Sequence, residues 1–253
     1  MRDLTQVRAE LVAMGLNVRG VADGADYTRF LPGCRAVLVF GSGGRALWDA
    51  FVADLRLHPE HLAGERHPLD RFVARALEAA DPDPGPERRW IRCAADEKQT
   101  VDFRVLALRA GLGHRSRLGL LLHPEYGAWM GLRAACFTTE ALPVDGPLQS
   151  EGPCEGCPAP CETACPAQAI DQKGWNVGRC AAHQEGTEDC KRGCHSRLAC
   201  PEGAAHAYEP LELRYHTDRI PGRAALAEAL GHADPGAPDP GGWKRWARLA
   251  GSP

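Results

Sequence analysis

The stretch CEGCPAPCETACPAQAI, Cys154 to Ile170, holds four cysteines, the last of them followed directly by Pro166. Four more, Cys180, Cys190, Cys194 and Cys200, lie within the next thirty-five residues, so eight of the chain's 11 cysteines crowd into one segment. From residue 149 to about 207 the chain is rich in Cys, Gly and Pro and poor in periodic apolar pattern. Such a segment cannot build a core of its own and has to be held by something it binds. The rest of the chain does not share that poverty: with 44% apolar residues over 253, it can bury a real core without cross-links. The N-terminus, MRDLTQVRAELVAMGL, interrupts helical apolar spacing with charges and lacks the apolar core of a secretory signal. A cytoplasmic protein is expected, and a reducing compartment keeps thiols as thiols, which points to metal rather than disulfides.

The spacing narrows the metal. Cys154, Cys157, Cys161 and Cys165 with Pro166 read CxxCxxxCxxxCP. The bacterial ferredoxin run is CxxCxxCxxxCP, one residue shorter in the middle gap. The second set also ends in Cys-Pro, at Cys200 and Pro201. In two-cluster ferredoxins the fourth cysteine of each run ligates the other cluster. That rule assigns Cys154, Cys157, Cys161 and Cys200 to one 4Fe-4S cube, and Cys165, Cys180, Cys190 and Cys194 to a second. Zinc is the competing reading, with His183 and His195 nearby, and disulfides are a third. About eight irons and eight sulfides per chain favour cubes, whereas stoichiometric zinc without sulfide excludes them. The isolated Cys34, Cys93 and Cys136 read as small buried hydrophobes.

Ahead of the cysteines, helices and strands alternate. Helical spacing covers Leu4 to Met14, residues 45–55 and residues 67–80, while RAVLVF reads as a buried strand. After the breaker-rich DPDPGPE come a strand in RWIRCAA, a helix in VDFRVLALRAG, and strands in LGLLLH and LRAACFTTE. The fold class expected is α+β. Three parts follow: an α+β domain over 1–148, a ferredoxin-like module over 149–207, and a tail over 208–253 that docks on the first domain. The 30 basic and 33 acidic residues are interspersed, so no nucleic-acid partner is expected. Without an apolar run near the 18 to 20 residues that span a bilayer, neither is a membrane partner.

Two motifs outside the cysteines carry chemistry. AVLVFGSGGRALWDAF sets Gly43 and Gly44 between a strand and a helix, where backbone N–H groups could face an anion or a cofactor edge. The other is AGLGHRSRLGLLLHPEYGAWMGL: AGLG at 110–113, LLLH ending at His123, and GxW at Gly127 to Trp129.

This order, followed by eight cysteines, resembles the cobalamin-binding domain shared by epoxyqueuosine reductase, corrinoid reductive dehalogenases and the type C cobalamin-processing protein. The resemblance covers roughly residues 30 to 205. It implies a nitroreductase-like α+β fold that holds cobalamin near the closer cube, with electrons passing from an external donor, such as a flavodoxin or a ferredoxin reductase, through both cubes to cobalt. The activity implied is that of a cobalamin-dependent reductase, or of a processing protein that reduces the corrinoid itself, acting on a small molecule or a corrinoid. His123, Gly127 and Trp129 then stand at the cofactor, with Gly43 and Gly44. The acidic proton donor of the reductase falls, by its spacing from AGLG, at Glu97, beside Asp96, and Tyr126 is a second proton donor. The sequence departs from the reductase in its enlarged cysteine gaps, and it shows neither that enzyme's helical-repeat extension nor a basic RNA-binding face. The rival reading is a ferredoxin-like electron carrier without corrinoid, and a flavin in place of the corrinoid is the third.

Overall fold

The computed structural model describes residues 2–62, 67–93 and 101–232. Helix α1 (Leu4–Ala13) begins behind Asp3, whose carboxylate accepts from the Thr5 N–H and caps the first turn. Strands β1 (Val18–Asp23) and β2 (Ala36–Gly43) follow, then α2 (Ala46–Leu57), α3 (Pro68–Ala80), β3 (Arg88–Arg92) and α4 (Phe103–Arg109). The short β4 (His114–Arg115) and β5 (Leu121–Leu122) pair with each other before β6 (Met130–Thr138) returns to the main sheet.

That sheet has the order β1-β2-β6-β3, antiparallel throughout. Every residue of β2 is buried. A strand sends alternate side chains to opposite faces, so a doubly covered strand reads as a continuous apolar run. Ala36, Leu38 and Phe40 meet Leu11, Phe51 and Phe72 of α1 to α3 on one face. Val37 and Val39 meet Tyr27, Phe30, Phe137 and Leu106 on the other. Phe40 and Phe51 are fully buried, and each such side chain stabilises the fold by roughly 1.5–3 kcal/mol.

The cysteine segment carries small elements only: α5 (Pro160–Thr163), β7 (Ile170–Asp171), β8 (Gly174–Trp175), α6 (Val177–Gly186) and α7 (His195–Leu198). Helices α8 (Pro210–Thr217) and α9 (Arg219–Ala229) seat on the α2–α3 face. The Tyr215 ring lies 5.1 Å from Trp48 and 5.9 Å from Phe51, and its hydroxyl accepts from the Leu69 N–H.

The α+β class read from the sequence holds. Three local readings change. Strand β1 was not anticipated; its Gly20 faces the Ala110 carbonyl so closely that a Cβ would stand 2.1 Å from the oxygen, which explains a glycine in mid-strand. The expected strand at 118–123 is only two residues long, because Leu118 and Leu122 turn toward the cysteines instead of a sheet. Cys34 and Cys136 are buried, but Cys93 is exposed at the end of β3. Among the described residues no helix is long and apolar enough to cross a membrane.

Candidate metal centres

Cys154, Cys157, Cys161 and Cys200 line one cavity of about 340 Å³, walled by Leu118, Leu122 and Pro160. Pro160 opens α5 and puts Cys161 on its first turn, while Ala159 before it adopts φ 55°, a left-handed conformation that turns the chain around the cavity. The Ala159 N–H donates to Cys157 Sγ at 3.4 Å. Burial pushes the Cys161 and Cys200 thiols up, and the neighbouring cysteines add to it: Cys154 and Cys157 at Cys161, Cys161 and Cys154 at Cys200. Thiols held neutral by burial and crowding become ligands when a cation takes their protons' place. Arg117, paired with Glu162 at 2.6 Å, stands close enough to Cys154 and Cys161 to feel their charge.

The second group is built from later elements. Burial pushes the Cys190 thiol up to about 11, and Cys194, Cys180 and Cys165 act on it in the same direction. The Ala169 N–H donates to Cys165 Sγ at 3.3 Å, and Gln184 Nε2 to Cys180 Sγ at 3.9 Å. The structure thus brings the eight cysteines into two sets of four with Cys165 and Cys200 exchanged between the runs.

The donor sets suit a cluster better than a single ion. Four thiolates around one zinc, at about 2.3 Å each, stand about 4 Å apart. Among the described residues no three cysteine sulfurs lie within 4.8 Å of one another.

A second layer locks this segment to the sheet. Gly127 takes φ +50°, and a Cβ there would meet the Glu202 carbonyl oxygen at 1.9 Å; Gly203 faces the Tyr126 carbonyl in the same way. Arg197, on α7 between Cys194 and Cys200, lays its guanidinium 4.4 Å from the Trp129 ring and 4.6 Å from Tyr208. Its Nε and Nη2 donate to the Ala128 carbonyl at 3.0 and 2.7 Å.

The other expected site residues are engaged in packing. Tyr126 fills the space in front of Gly43, where a Cβ would stand 2.1 Å from its ring, and Gly44 borders the same ring. Asn17 ties these together, accepting from the Gly43 N–H at 2.8 Å and donating to the Gly43 carbonyl and the Tyr126 hydroxyl at 3.1 Å each. Burial pushes the Tyr126 phenol up. His123 Nδ1 accepts from the Glu125 and Tyr126 N–H groups, and burial lowers its basicity. Trp129 is 1% exposed, with Nε1 lacking a partner. Asp96 and Glu97 lie outside the described residues.

Two open regions remain. A cleft of about 1,310 Å³ runs past Cys154, with Arg104, Arg115, Lys173, Leu120, Leu121 and Trp175 on its walls. Two cavities of about 400 and 520 Å³ share Asp70, Arg133 and Arg219, and Arg92 and Cys93 line the larger. Sequence reading missed Arg197, Asn17 and this arginine cluster; the one available signal was Arg197 lying between two ligand-type cysteines.

No family model matches the chain. The curated epoxyqueuosine reductase of Synechococcus sp. (strain CC9605) is 38% identical over 100 residues, which cover 40% of this chain and 28% of that protein. That of Vibrio cholerae serotype O1 is 40% identical over 81 residues, 32% of this chain and 21% of that protein. The chain's match spans only a quarter or so of these relatives' length. Among solved structures, epoxyqueuosine reductase from Bacillus subtilis aligns over 82% of this chain and 68% of its own, with TM-score 0.51 and 16% identity. The C. elegans B12-trafficking protein CblC aligns over 90% and 97%, with TM-score 0.56 and 11% identity. The chain has the fold of the epoxyqueuosine reductase superfamily. The catabolic reductive dehalogenase NpRdhA shares that superfamily fold over 88% of this chain and 36% of its own, with TM-score 0.53 and 17% identity. The resemblance read from AGLG, LLLH, GxW and the cysteines is borne out at the level of the superfamily.

Proposed function

We propose that this protein is an iron-sulfur reductase that passes electrons from an external donor protein through two 4Fe-4S clusters to a bound corrinoid, which in turn reduces a small-molecule substrate or is itself the species reduced. The observation that carries the reading is the pair of four-thiol groups with one cysteine exchanged between the runs, on a fold shared with epoxyqueuosine reductases, a B12-trafficking protein and a reductive dehalogenase. The three-part division at residues 148 and 207 belongs to the same proposal.

The cleft beside Cys154 offers the mixed lining that a large amphipathic macrocycle needs. Leu120, Leu121 and Trp175 would take its apolar faces, and Arg104, Arg115 and Lys173 its phosphate and amide edges. A bound corrinoid supplies a cobalt centre that reaches strongly reducing states. The chain supplies the rest. Leu118 and Leu122 keep water from the first four thiols. Arg117 places positive charge beside Cys154 and Cys161, which opposes the charge an added electron brings. Tyr126, with its hydroxyl fixed by Asn17, and Glu97 are the proposed proton donors; unchanged turnover in Glu97→Gln removes the latter.

One observation favours the rival, an electron carrier without corrinoid. Gly43, Gly44, Gly127 and Trp129 are buried in internal packing, and His123, half-buried, has its Nδ1 engaged by two backbone N–H groups. The deciding experiment is electron paramagnetic resonance on the anaerobically reconstituted chain after dithionite, with and without cob(II)alamin. Two interacting cube signals and a perturbed cobalt spectrum support the reductase. Cube signals beside an unchanged cob(II)alamin spectrum leave the carrier, and visible bands of a retained flavin would replace the corrinoid. An epoxyqueuosine reductase has been crystallised with a tRNA-Tyr stem loop, so the expectation of no nucleic-acid partner goes to a binding assay with the same stem loop.

A further inference from the structure

The second four-thiol group has two polar neighbours that the reading above leaves unexplained. His183 lies one turn beyond Cys180 on α6. Its Nε2 is buried without a hydrogen-bond partner. A ring nitrogen of His183, the Cys190 sulfur and a carboxylate oxygen of Asp189 all lie within 4.8 Å of one another. The next residue, Gln184, is 6% exposed and aims Nε2 at Cys180 Sγ from 3.9 Å. A buried polar group left without a partner costs about 1–3 kcal/mol, so the orphaned His183 nitrogen beside these thiols calls for an acceptor there, and the Gln184 amide N–H already points at the same set. The first group is surrounded differently: backbone groups of Ala159 and Glu202 act on its sulfurs, and Leu118 and Leu122 pack against it beside the Arg117 guanidinium.

We infer that His183, through Nε2–H, and Gln184, through its amide, donate hydrogen bonds to the sulfurs of the cluster held by Cys165, Cys180, Cys190 and Cys194, and so raise its reduction potential. The inference rests on the two-cluster reading. The physical cause is charge: reduction adds one electron to the cluster, and an N–H dipole aimed at its sulfurs stabilises the reduced form more than the oxidised one. The electron comes from the external donor, which is oxidised by one equivalent. The two groups thus differ in their polar surroundings, with the Arg117 guanidinium beside one and the His183 and Gln184 side chains beside the other.

The test is a redox titration of the reconstituted full-length chain, followed by electron paramagnetic resonance, with iron and sulfide counted in each sample. The variants are His183→Leu, which removes the donor, and His183→Gln, which keeps one. The signal belonging to the second group is identified as the one lost in Cys190→Ser. In His183→Leu that signal should move to lower potential with the other unmoved and about eight irons retained; His183→Gln should recover part of the shift. Unmoved potentials in His183→Leu overturn the inference. Loss of about four irons in that variant overturns it too, because His183 is then a ligand or a prop. A wild-type chain that takes up zinc and no sulfide fails the two-cluster reading itself, a result that the iron and sulfide counts separate from the other two.

Discussion

Arg197 is the side chain through which the cysteine segment grips the sheet, and replacing it measures that grip. In Arg197→Leu the Ala128 carbonyl loses two charged donors that share one oxygen, at 3.0 and 2.7 Å, worth about 1.5–3 kcal/mol as one charge-assisted interaction. The stacking on Trp129 and Tyr208 at 4.4 and 4.6 Å adds about 0.5–2 kcal/mol in a partly desolvated setting. The leucine restores some apolar contact, so a net loss of about 2–4 kcal/mol is expected, read as a fall in Tm of roughly 5–15 °C for a chain of this size. Differential scanning calorimetry of the metal-free and reconstituted forms measures it. Arg197→Lys should recover little, because an ammonium cannot lie flat between two rings or present two N–H groups to one carbonyl. A loss under about 1 kcal/mol in Arg197→Leu, or full recovery in Arg197→Lys, would refute the reasoning.

Gly127→Ala places a Cβ 1.9 Å from the Glu202 oxygen at φ +50°, whereas Gly156, at φ +72°, has nothing within 4 Å. Urea unfolding should therefore show about 1 kcal/mol lost in Gly156→Ala, from backbone strain alone, and at least twice that in Gly127→Ala. Asn17→Ala abandons the Gly43 N–H and carbonyl and the Tyr126 hydroxyl together, a cost of about 2–3 kcal/mol by the same measurement. Burial pushes the Glu212 carboxyl from its ordinary 4.5 up to about 8. The folded chain keeps this proton where the unfolded chain has released it, so the stabilisation is complete below pH 4.5 and is lost as the pH rises to about 8. Glu212→Gln should flatten this decline and be the more stable protein at pH 8; a steeper fall than wild type between pH 5 and 8 counts against the burial argument.

Legibility followed locality. The apolar run at residues 36–40 and the periodic helices announced themselves because burial on a sheet face or a helix stripe writes a regular pattern into adjacent residues. The cysteine segment announced itself because closely spaced thiols in short loops are a local pattern. Strand β1 was hidden by Gly20, a residue chosen for the approach of Ala110, ninety positions away, rather than for a strand. LGLLLH looked like a longer strand because two of its leucines, Leu118 and Leu122, are apolar for another reason, facing thiols. GxW stood out as a motif, but its meaning depends on the Glu202 carbonyl and Arg197, which the sequence places far downstream. The arginine cavities draw on β3, β6 and α9, so no stretch of chain announces them.

The exchange of Cys165 and Cys200 between the groups also nests one set of thiols inside the other along the chain. The inner set is complete once the ribosome has passed Cys194, whereas the outer set begins earlier, at Cys154, and waits for Cys200. The second group is nested inside the chain interval that the first one closes. A growing chain presents all four inner thiols before Cys200 emerges to complete the outer set. A chain that stops short of Cys200 would carry one finished site and three waiting thiols.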